Sequence, residues 1–321
     1  VKEFKVIERF FTGRGQNRRD VVLNIGDDCA LVAPAENKSI AISCDTLVEN
    51  THFYPDMPAK ALGYKCLAVN LSDLASMGAE PAWMTLALTL PDVDEAWLAD
   101  FSQGLSDIAE YYGVSLIGGD TTRGPRSITI TVHGQVPEKK ALTRAGANNG
   151  DWIYVTGTLG DSAVGLALIA NEPGVEASAQ DRDYLINRHY YPSPRVLAGQ
   201  SLRNLASSAI DISDGILGDI KHVLKRSEVG AVIDVEQLPL SDALVNTVGK
   251  ESAINYALSG GEDYELLFTV PESQRGALET SLAHAGVTFT QIGQICTGDK
   301  LKLLRSGQEF EPKNLSFEHF S

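Results

Sequence analysis

Long apolar runs are missing from this chain of 321 residues: none approaches the roughly 18 that a membrane-spanning helix needs. The N-terminal VKEFKVIERFF lacks the charged start and cleavage site of a secretory signal and reads instead as a short amphipathic helix. Cysteine is scarce. Cys29, Cys44, Cys66 and Cys296 are scattered, with neither a disulfide framework nor metal-finger spacing, which suits reduced thiols in a cytoplasm. Basic residues are outnumbered, 27 Lys and Arg against 42 Asp and Glu, for a formal charge of -15. A nucleic-acid backbone or an anionic bilayer would be repelled overall, so neither is expected as a partner. The usual nucleotide signatures are absent too: there is no G-x-x-x-x-G-K-[ST], and no G-x-G-x-x-G follows a strand.

What is present is a 43% hydrophobic chain able to bury one large core or two ordinary ones. Strands are predicted around an acidic turn in VVLNIGDDCALVAP, then at SIAISCDT, PAWMTLALTL, VSLIGGD and SITITVHGQV, with TTRGPR as a loop. Helices are predicted at Tyr64–Ala79 and from Asp92 to Tyr112. Around Lys139–Asp151 the composition turns to Gly, Asn and Ala, which marks a boundary between domains 1–148 and 149–321. Beyond it, DWIYVTGTLGDSAVGLALIA reads as a β-turn-α unit, NEPGVEASAQDRD as a surface linker and YYPSPR as a rigid connection. Helices follow near Val196–Ala206, in GILGDIKHVLKRS, before SGGEDYE and around Ser273–Gly286, interleaved with strands SAIDIS, GAVIDV and ELLFTV and with closing strands. Alternation of this kind in both halves predicts two α/β domains with α+β layering, without fixing a sheet order.

The chemistry lies in the acids. In YKCLAVNLSDLASMGA, Leu67, Leu71 and Leu74 make an apolar stripe interrupted by Asn70, Ser72 and Asp73. A carboxylate there costs several kcal/mol unless a cation, a strong donor set or solvent meets it. Acids also close other predicted strands: Gly26-Asp27-Asp28, Ser43-Cys44-Asp45-Thr46, Gly118-Gly119-Asp120-Thr121 and Asp211-Ile212-Ser213-Asp214-Gly215. Singly, each of these is an ordinary turn or helix cap. Two carboxylates about 4 Å apart repel by about 4 kcal/mol at an effective dielectric near 20, so convergence of several calls for cations. Oxygen ligands without a His or Cys cluster point to Mg²⁺ rather than Zn²⁺, and Mg²⁺ completes its shell from waters and phosphates. The glycine pairs Gly118-Gly119 and Gly260-Gly261 let backbone approach a ligand closely, while Arg123 and Arg144 are placed to pair with phosphate oxygens. His52, beside Asn50 and Thr51, reads as a loop histidine on its own.

In order along the chain, IGDDCAL, SCDTLVENTHF, YKCLAVNLSDLASMGAEP, LIGGDTTRG, ALTRAGANNGDWIYVTGTLGDSA, IDISDG and ALSGGEDYEL resemble the bacterial thiamine-monophosphate kinases. These belong to the superfamily of ATP-binding proteins related to aminoimidazole ribonucleotide synthetase. The resemblance implies direct transfer of the ATP γ-phosphoryl group to thiamine monophosphate, the last step of thiamine diphosphate biosynthesis, by a homodimer paired through its N-terminal domains. It implies Mg²⁺ sites at Asp28, Ser43, Cys44, Asp45, Asp73, Asp120, Asp211 and Asp214. ATP contacts fall at Gly119, Asp120, Arg144 and Ser213, and substrate contacts at His52, Glu262 and Phe317. Cys44 stands where the family often has Thr; a thiol is a poor Mg²⁺ ligand, so any contact there runs through its carbonyl. Phe317 can stack on a pyrimidine but cannot hydrogen-bond to it. A substrate phosphate is already an ionised nucleophile, so no acid or base is assigned. The alternatives are another ATP-dependent synthetase of the superfamily and a nucleotide and metal sensor without turnover. Against a synthetase, the N-terminus has no Cys or Lys in a Gly-rich loop.

Overall fold

The computed structural model describes residues 3–313, so Phe317 lies outside the described residues. The chain divides into two compact units, Val1–Leu74 with Ala79–Lys139, and Ala75–Gly78 with Lys140–Ser321.

The first unit begins with a helical turn, α1 (Glu3–Val6), that runs into a π-helical turn, Ile7–Phe11, whose Phe10 and Phe11 are buried. Strands β1 (Val21–Leu23) and β2 (Leu31–Val32) pair antiparallel across the acidic turn. The main sheet has the order β3-β6-β4-β5, built from β3 (Lys38–Val48), β4 (Glu80–Leu90), β5 (Ser115–Arg123) and β6 (Ser127–Pro137). Only β4 and β5 run parallel.

Two helices belong with this sheet, α2 (Ala59–Ser76) and α3 (Glu95–Tyr112). The stripe expected on α2 is real: Leu67 and Leu71 are wholly buried and Leu74 nearly so. Asp94 caps α3 by accepting from the N–H groups of Ala96 and Trp97, and Gly113 ends it in a left-handed conformation. The helices meet backbone to backbone at two glycines. A Cβ on Gly63 would stand 2.1 Å from the Phe101 carbonyl oxygen, and one on Gly104 1.9 Å from that of Lys60. Part of the opposite sheet face is covered by the β1–β2 hairpin, whose Val21, Ala30 and Val32 pack on Ala82, Trp83 and Ile117. The segment before the hairpin is tied down where Asp20 accepts from Trp83 Nε1 at 3.1 Å and from Arg18 Nη2 at 2.6 Å.

Strand β5 continues through Thr121 and Thr122 to Arg123, where a loop was expected. Its parallel register with β4 runs to Leu90, and the β-branched threonines suit that extended backbone.

The second unit holds a seven-stranded sheet of order β13-β12-β9-β11-β7-β10-β8. Its strands are β7 (Trp152–Thr156), β8 (Ser208–Ile212), β9 (Gly230–Asp234), β10 (Glu265–Val270), β11 (Phe289–Cys296), β12 (Leu301–Arg305) and β13 (Gln308–Glu309). Its helices include α4 (Asp161–Ile169), α5 (Ala179–Tyr190), α6 (Val196–Leu202), α7 (Ile216–Ser227), α8 (Asp242–Ser259) and the short α9 (Leu278–Leu282). The sheet is antiparallel except for β12 on β9, and its core gathers Ile153, Val155, Ile210, Ile212, Ile233 and Leu267 with the apolar faces of α7 and α8.

Two stretches differ from expectation. The supposed linker 171–183 gives way to α5 at Ala179, capped by Ser178, which accepts from the N–H of Asp181. Its few apolar residues hide the helix from a periodicity reading. The helix expected over 273–286 is a five-residue α-helix between 3₁₀ turns, with Gly286 left-handed at its end.

Candidate active site

In the first unit, β3 and α2 bring their polar residues together. Asn70, fully buried, accepts from the N–H of Asp45 at 3.1 Å and donates to the Cys66 carbonyl at 2.9 Å. Its amide thus satisfies an N–H on the edge strand of the sheet. Ser43 Oγ donates to Asp73 Oδ2, the donor that the apolar surroundings of Asp73 require. Burial, followed by the charge of Asp73, pushes the Asp45 carboxyl up to about 6. Asp45 sits within β3 rather than at its end, and its neighbour Cys44 is exposed, its sulfur accepting from Thr131 Oγ1 at 3.3 Å.

A second acidic group faces a cavity of about 480 Å³ walled by Ile7, Phe11, Asp27, Asp28, Gly119 and Asp120. Asp27 accepts from the N–H of Asp28 at 2.8 Å and so shapes the turn. Gly119 has φ +152° and no room for a side chain, since a Cβ would lie 1.8 Å from the Leu86 carbonyl oxygen. Gly118 is not confined in this way. The close approach at this glycine pair is therefore to the neighbouring strand. Asp45, Ile130, Leu86 and Gly119 form one row across the four strands. Three strand spacings, roughly 14 Å along the sheet, separate its ends. Among the described residues no three His, Cys, Asp or Glu side chains close into a metal cage.

His52 lies on the turn after β3. Its Nδ1 accepts from the N–H of Val48 at 3.0 Å, so the neutral ring carries its proton on Nε2. Arg123 Nε donates to the Pro91 carbonyl at 3.2 Å.

In the second unit, buried Asp211 is the penultimate residue of β8, and after Ile212 the chain turns through Ser213 and Asp214 into α7. Gly215 allows that turn: its φ is +97°, and a Cβ would meet the Ser259 carbonyl carbon at 2.8 Å. The turn is held by Asp219, a residue not singled out in the sequence, whose Oδ2 accepts from the N–H groups of Ser213 and Asp214 at 3.0 and 3.1 Å. Burial pushes the Asp219 carboxyl up to about 7; the N–H groups of Asp214 and Ser213 and the charge of Arg144 oppose the rise, and the charge of Asp214 adds to it. Arg144 is thereby placed beside this turn. An acid one turn into a helix that follows a Ser-Asp-Gly turn is the signal that could have found it.

Opposite Ser213 is the Gly260–Tyr264 segment. Glu262 and Tyr264 both have positive φ, +67° and +52°. Their N–H groups donate to the carbonyls of Ser213 and Ile212 at 2.7 and 2.9 Å. Gly260 and Gly261 are again confined by the protein's own backbone, with Cβ positions 2.5 Å from the Tyr256 oxygen and 2.6 Å from the Ser213 oxygen. Behind them, wholly buried Glu265 receives Arg195 through Nε at 2.6 Å and Nη2 at 2.5 Å, Arg188 Nη2 at 3.0 Å and Thr156 Oγ1 at 2.6 Å. Burial raises its carboxyl, but the arginines outweigh it and the net shift is downward.

The chain belongs to the AIR synthase related proteins: the model of their N-terminal domain matches residues 26–136 and that of their C-terminal domain residues 148–305. Within them it belongs to the thiamine-monophosphate kinase family. It is 57% identical to the thiamine-monophosphate kinase of Escherichia coli K12 over 320 residues, 99% of this chain and 98% of that one. It is similar to the crystal structure of the thiamine-monophosphate kinase of Stenotrophomonas maltophilia K279a, with a TM-score of 0.85 and 43% identity over 91% of this chain and 93% of that one. It is also similar to the structure of AaThiL complexed with AMPPCP and TMP, with a TM-score of 0.78 and 31% identity over 90% of this chain and 89% of that one.

Proposed function

We propose that this chain transfers the γ-phosphoryl group of ATP directly to the phosphate of thiamine monophosphate, giving thiamine diphosphate and ADP, as the last step of thiamine diphosphate biosynthesis. The observation that carries this reading is the Asp45–Asp73 pair, two close carboxylates at the junction of β3 and α2, where burial and then the charge of Asp73 push the Asp45 carboxyl up to about 6. That is an oxygen donor set whose repulsion a divalent cation relieves. An incomplete protein shell suits Mg²⁺, which keeps waters and takes phosphate oxygens.

Asp28, Ser43, Asp45, Asp73 and Asp120 in the first unit, and Asp211 and Asp214 in the second, are the residues that would hold Mg²⁺, with Cys44 contributing through its carbonyl. Bound there, Mg²⁺ would supply neutralisation of phosphate charge. The protein's own share is alignment. Gly119 and Asp120 on β5 and Ser213 with Arg144 beside the α7 turn would contact ATP, with Arg144 pairing with phosphate oxygens. His52 and Glu262 would contact thiamine monophosphate, as would Phe317 outside the described residues. No side chain need act as acid or base, since the attacking phosphate oxygen is already ionised.

The active species is proposed to be a cytoplasmic homodimer paired through its first units. Support comes from the sheet face opposite α2, where Ile42 is 63% exposed and Cys44 and Thr46 stand beside Thr131 and Thr129. No helix among the described residues is long and apolar enough to cross a membrane. Incubation with ATP, Mg²⁺ and thiamine monophosphate is the test: thiamine diphosphate and ADP should appear in equal amounts, and their absence under all metal conditions would overturn the assignment.

A further inference from the structure

Glu262 has its backbone fixed on both sides. Its own N–H is bonded to Ser213. The next residue, Asp263, is buried and accepts from the N–H groups of Gly160 at 2.7 Å and Ser162 at 3.2 Å, at the start of α4. A glutamate side chain still has three torsions to order, and its carboxylate must be aimed if it is to meet a ligand.

His189, in the last turn of α5, meets this carboxylate. Its Nδ1 lies 3.4 Å from Glu262 Oε2 and 3.1 Å from Ser162 Oγ, and its side chain is 4% exposed. Leu185 and His189, four residues apart, are both buried on the face of α5 that packs against α4. Gly165 of α4 makes room for them: a Cβ there would come within 2.2 Å of the Leu185 carbonyl oxygen and 3.1 Å of His189 Cβ. The imidazole is therefore held by the packing of two helices, whereas the Glu262 side chain keeps 29% of its surface open. A buried ring beside a partly open carboxylate is the arrangement of a support and the group it aims.

We propose that His189 is a positioning residue for substrate binding, its Nδ1–H shared between Ser162 Oγ and one oxygen of Glu262 so that the carboxylate is pre-aimed at thiamine monophosphate. The proposal rests on the reading of Glu262 as a substrate contact. A carboxylate suits the cationic thiazolium and the N–H donors of the aminopyrimidine and repels the phosphate, so Glu262 is assigned to the ring end of the substrate.

The test is steady-state kinetics on the full chain at saturating Mg²⁺, with melting temperatures measured alongside. The variants are Glu262→Gln, His189→Leu, His189→Asn, His189→Gln and the double variant Glu262→Gln/His189→Leu. Asparagine returns an N–H near the Nδ1 position, whereas glutamine extends its amide toward the Nε2 position. Glu262→Gln, His189→Leu and His189→Gln should each raise KM for thiamine monophosphate about tenfold or more and leave KM for ATP within about twofold. His189→Asn should stay within about threefold of the native KM, and the double variant should be no worse than Glu262→Gln alone. If Glu262→Gln raises KM and the His189 variants do not, or if the two effects multiply, the positioning role is overturned. It is also overturned if the His189 variants shift both KM values and the melting temperature together, which is a packing effect. If Glu262→Gln itself leaves KM unchanged, the substrate-contact reading falls and takes this proposal with it. Should His189→Leu fail to fold, the contrast between Asn and Gln decides the question alone.

Discussion

The N–H of Glu262 donates to the carbonyl of Ser213 at 2.7 Å. The residue assigned to the substrate and the residue assigned to the nucleotide are therefore joined by one main-chain hydrogen bond. Asp219 holds the Ser213 side of that bond and buried Asp263 the Glu262 side. Both loops belong to the second unit, and displacement of either is transmitted to the other.

Removing charge from the first unit's acids should be costly. Asp73→Asn and Asp120→Asn are expected to lower turnover at least about 100-fold through lost electrostatic stabilisation. Initial rates at saturating Mg²⁺ are the check, and near-native turnover in either variant would remove that residue from the proposed ligands.

Asp27 and Asp28 should separate by property. Asp27 accepts its neighbour's N–H, so Asp27→Ala should lower stability by about 1 kcal/mol while leaving turnover within about threefold. Asp28→Asn should leave stability intact and lower turnover at least about tenfold. Thermal melting and turnover measured on both variants give the comparison; the reverse ordering would reassign the pair.

The Gly118–Gly119 pair makes a sharper contrast. With a Cβ position 1.8 Å from the Leu86 oxygen, Gly119→Ala must push β5 from β4, costing about 3 kcal/mol or more. The Cβ position of Gly118 has its nearest neighbour at 3.9 Å, so Gly118→Ala should melt close to the native protein. Equal melting temperatures for the two would contradict the packing described.

Acid should loosen the second unit through Glu265. Its carboxyl titrates below the ordinary 4.5 when folded. The stability it contributes is therefore present above about 4.5 and is lost as pH falls through the folded value. Glu265→Gln removes the buried charge that two partly buried arginines share and should cost about 3–5 kcal/mol at pH 7. Melting curves from pH 7 to pH 3 should fall more steeply for the native chain than for this variant. Parallel curves would mean that Glu265 is not the group responsible.

Much of the first unit was legible in the sequence because its signals are local. The apolar stripe of Leu67, Leu71 and Leu74, the carboxylates opening α3 and the alternation along β6 each follow from periodicity or capping. Asp73 stood out because a charge in such a stripe needs a partner, but its partner Ser43 is 30 residues away and only the fold reveals it. The arginines around Glu265 and the placement of His189 beside Glu262 were not legible for a related reason. They come from α5, whose polar sequence resembles a linker, and from Arg195, beyond a proline-rich turn. The glycine pairs point to close approach, but spacing cannot say to what: in both, the neighbour is main chain of the same unit.

The crossing of α2 and α3 at Gly63 and Gly104 brings main chain against main chain, with no side chain between to act as a cushion. Any slide of α2 along its axis would drive one carbonyl ridge into the other. Asn70 and Asp73 are thus mounted on a clamped rod, and their reach to Ser43 and Asp45 on β3 is set by main-chain packing.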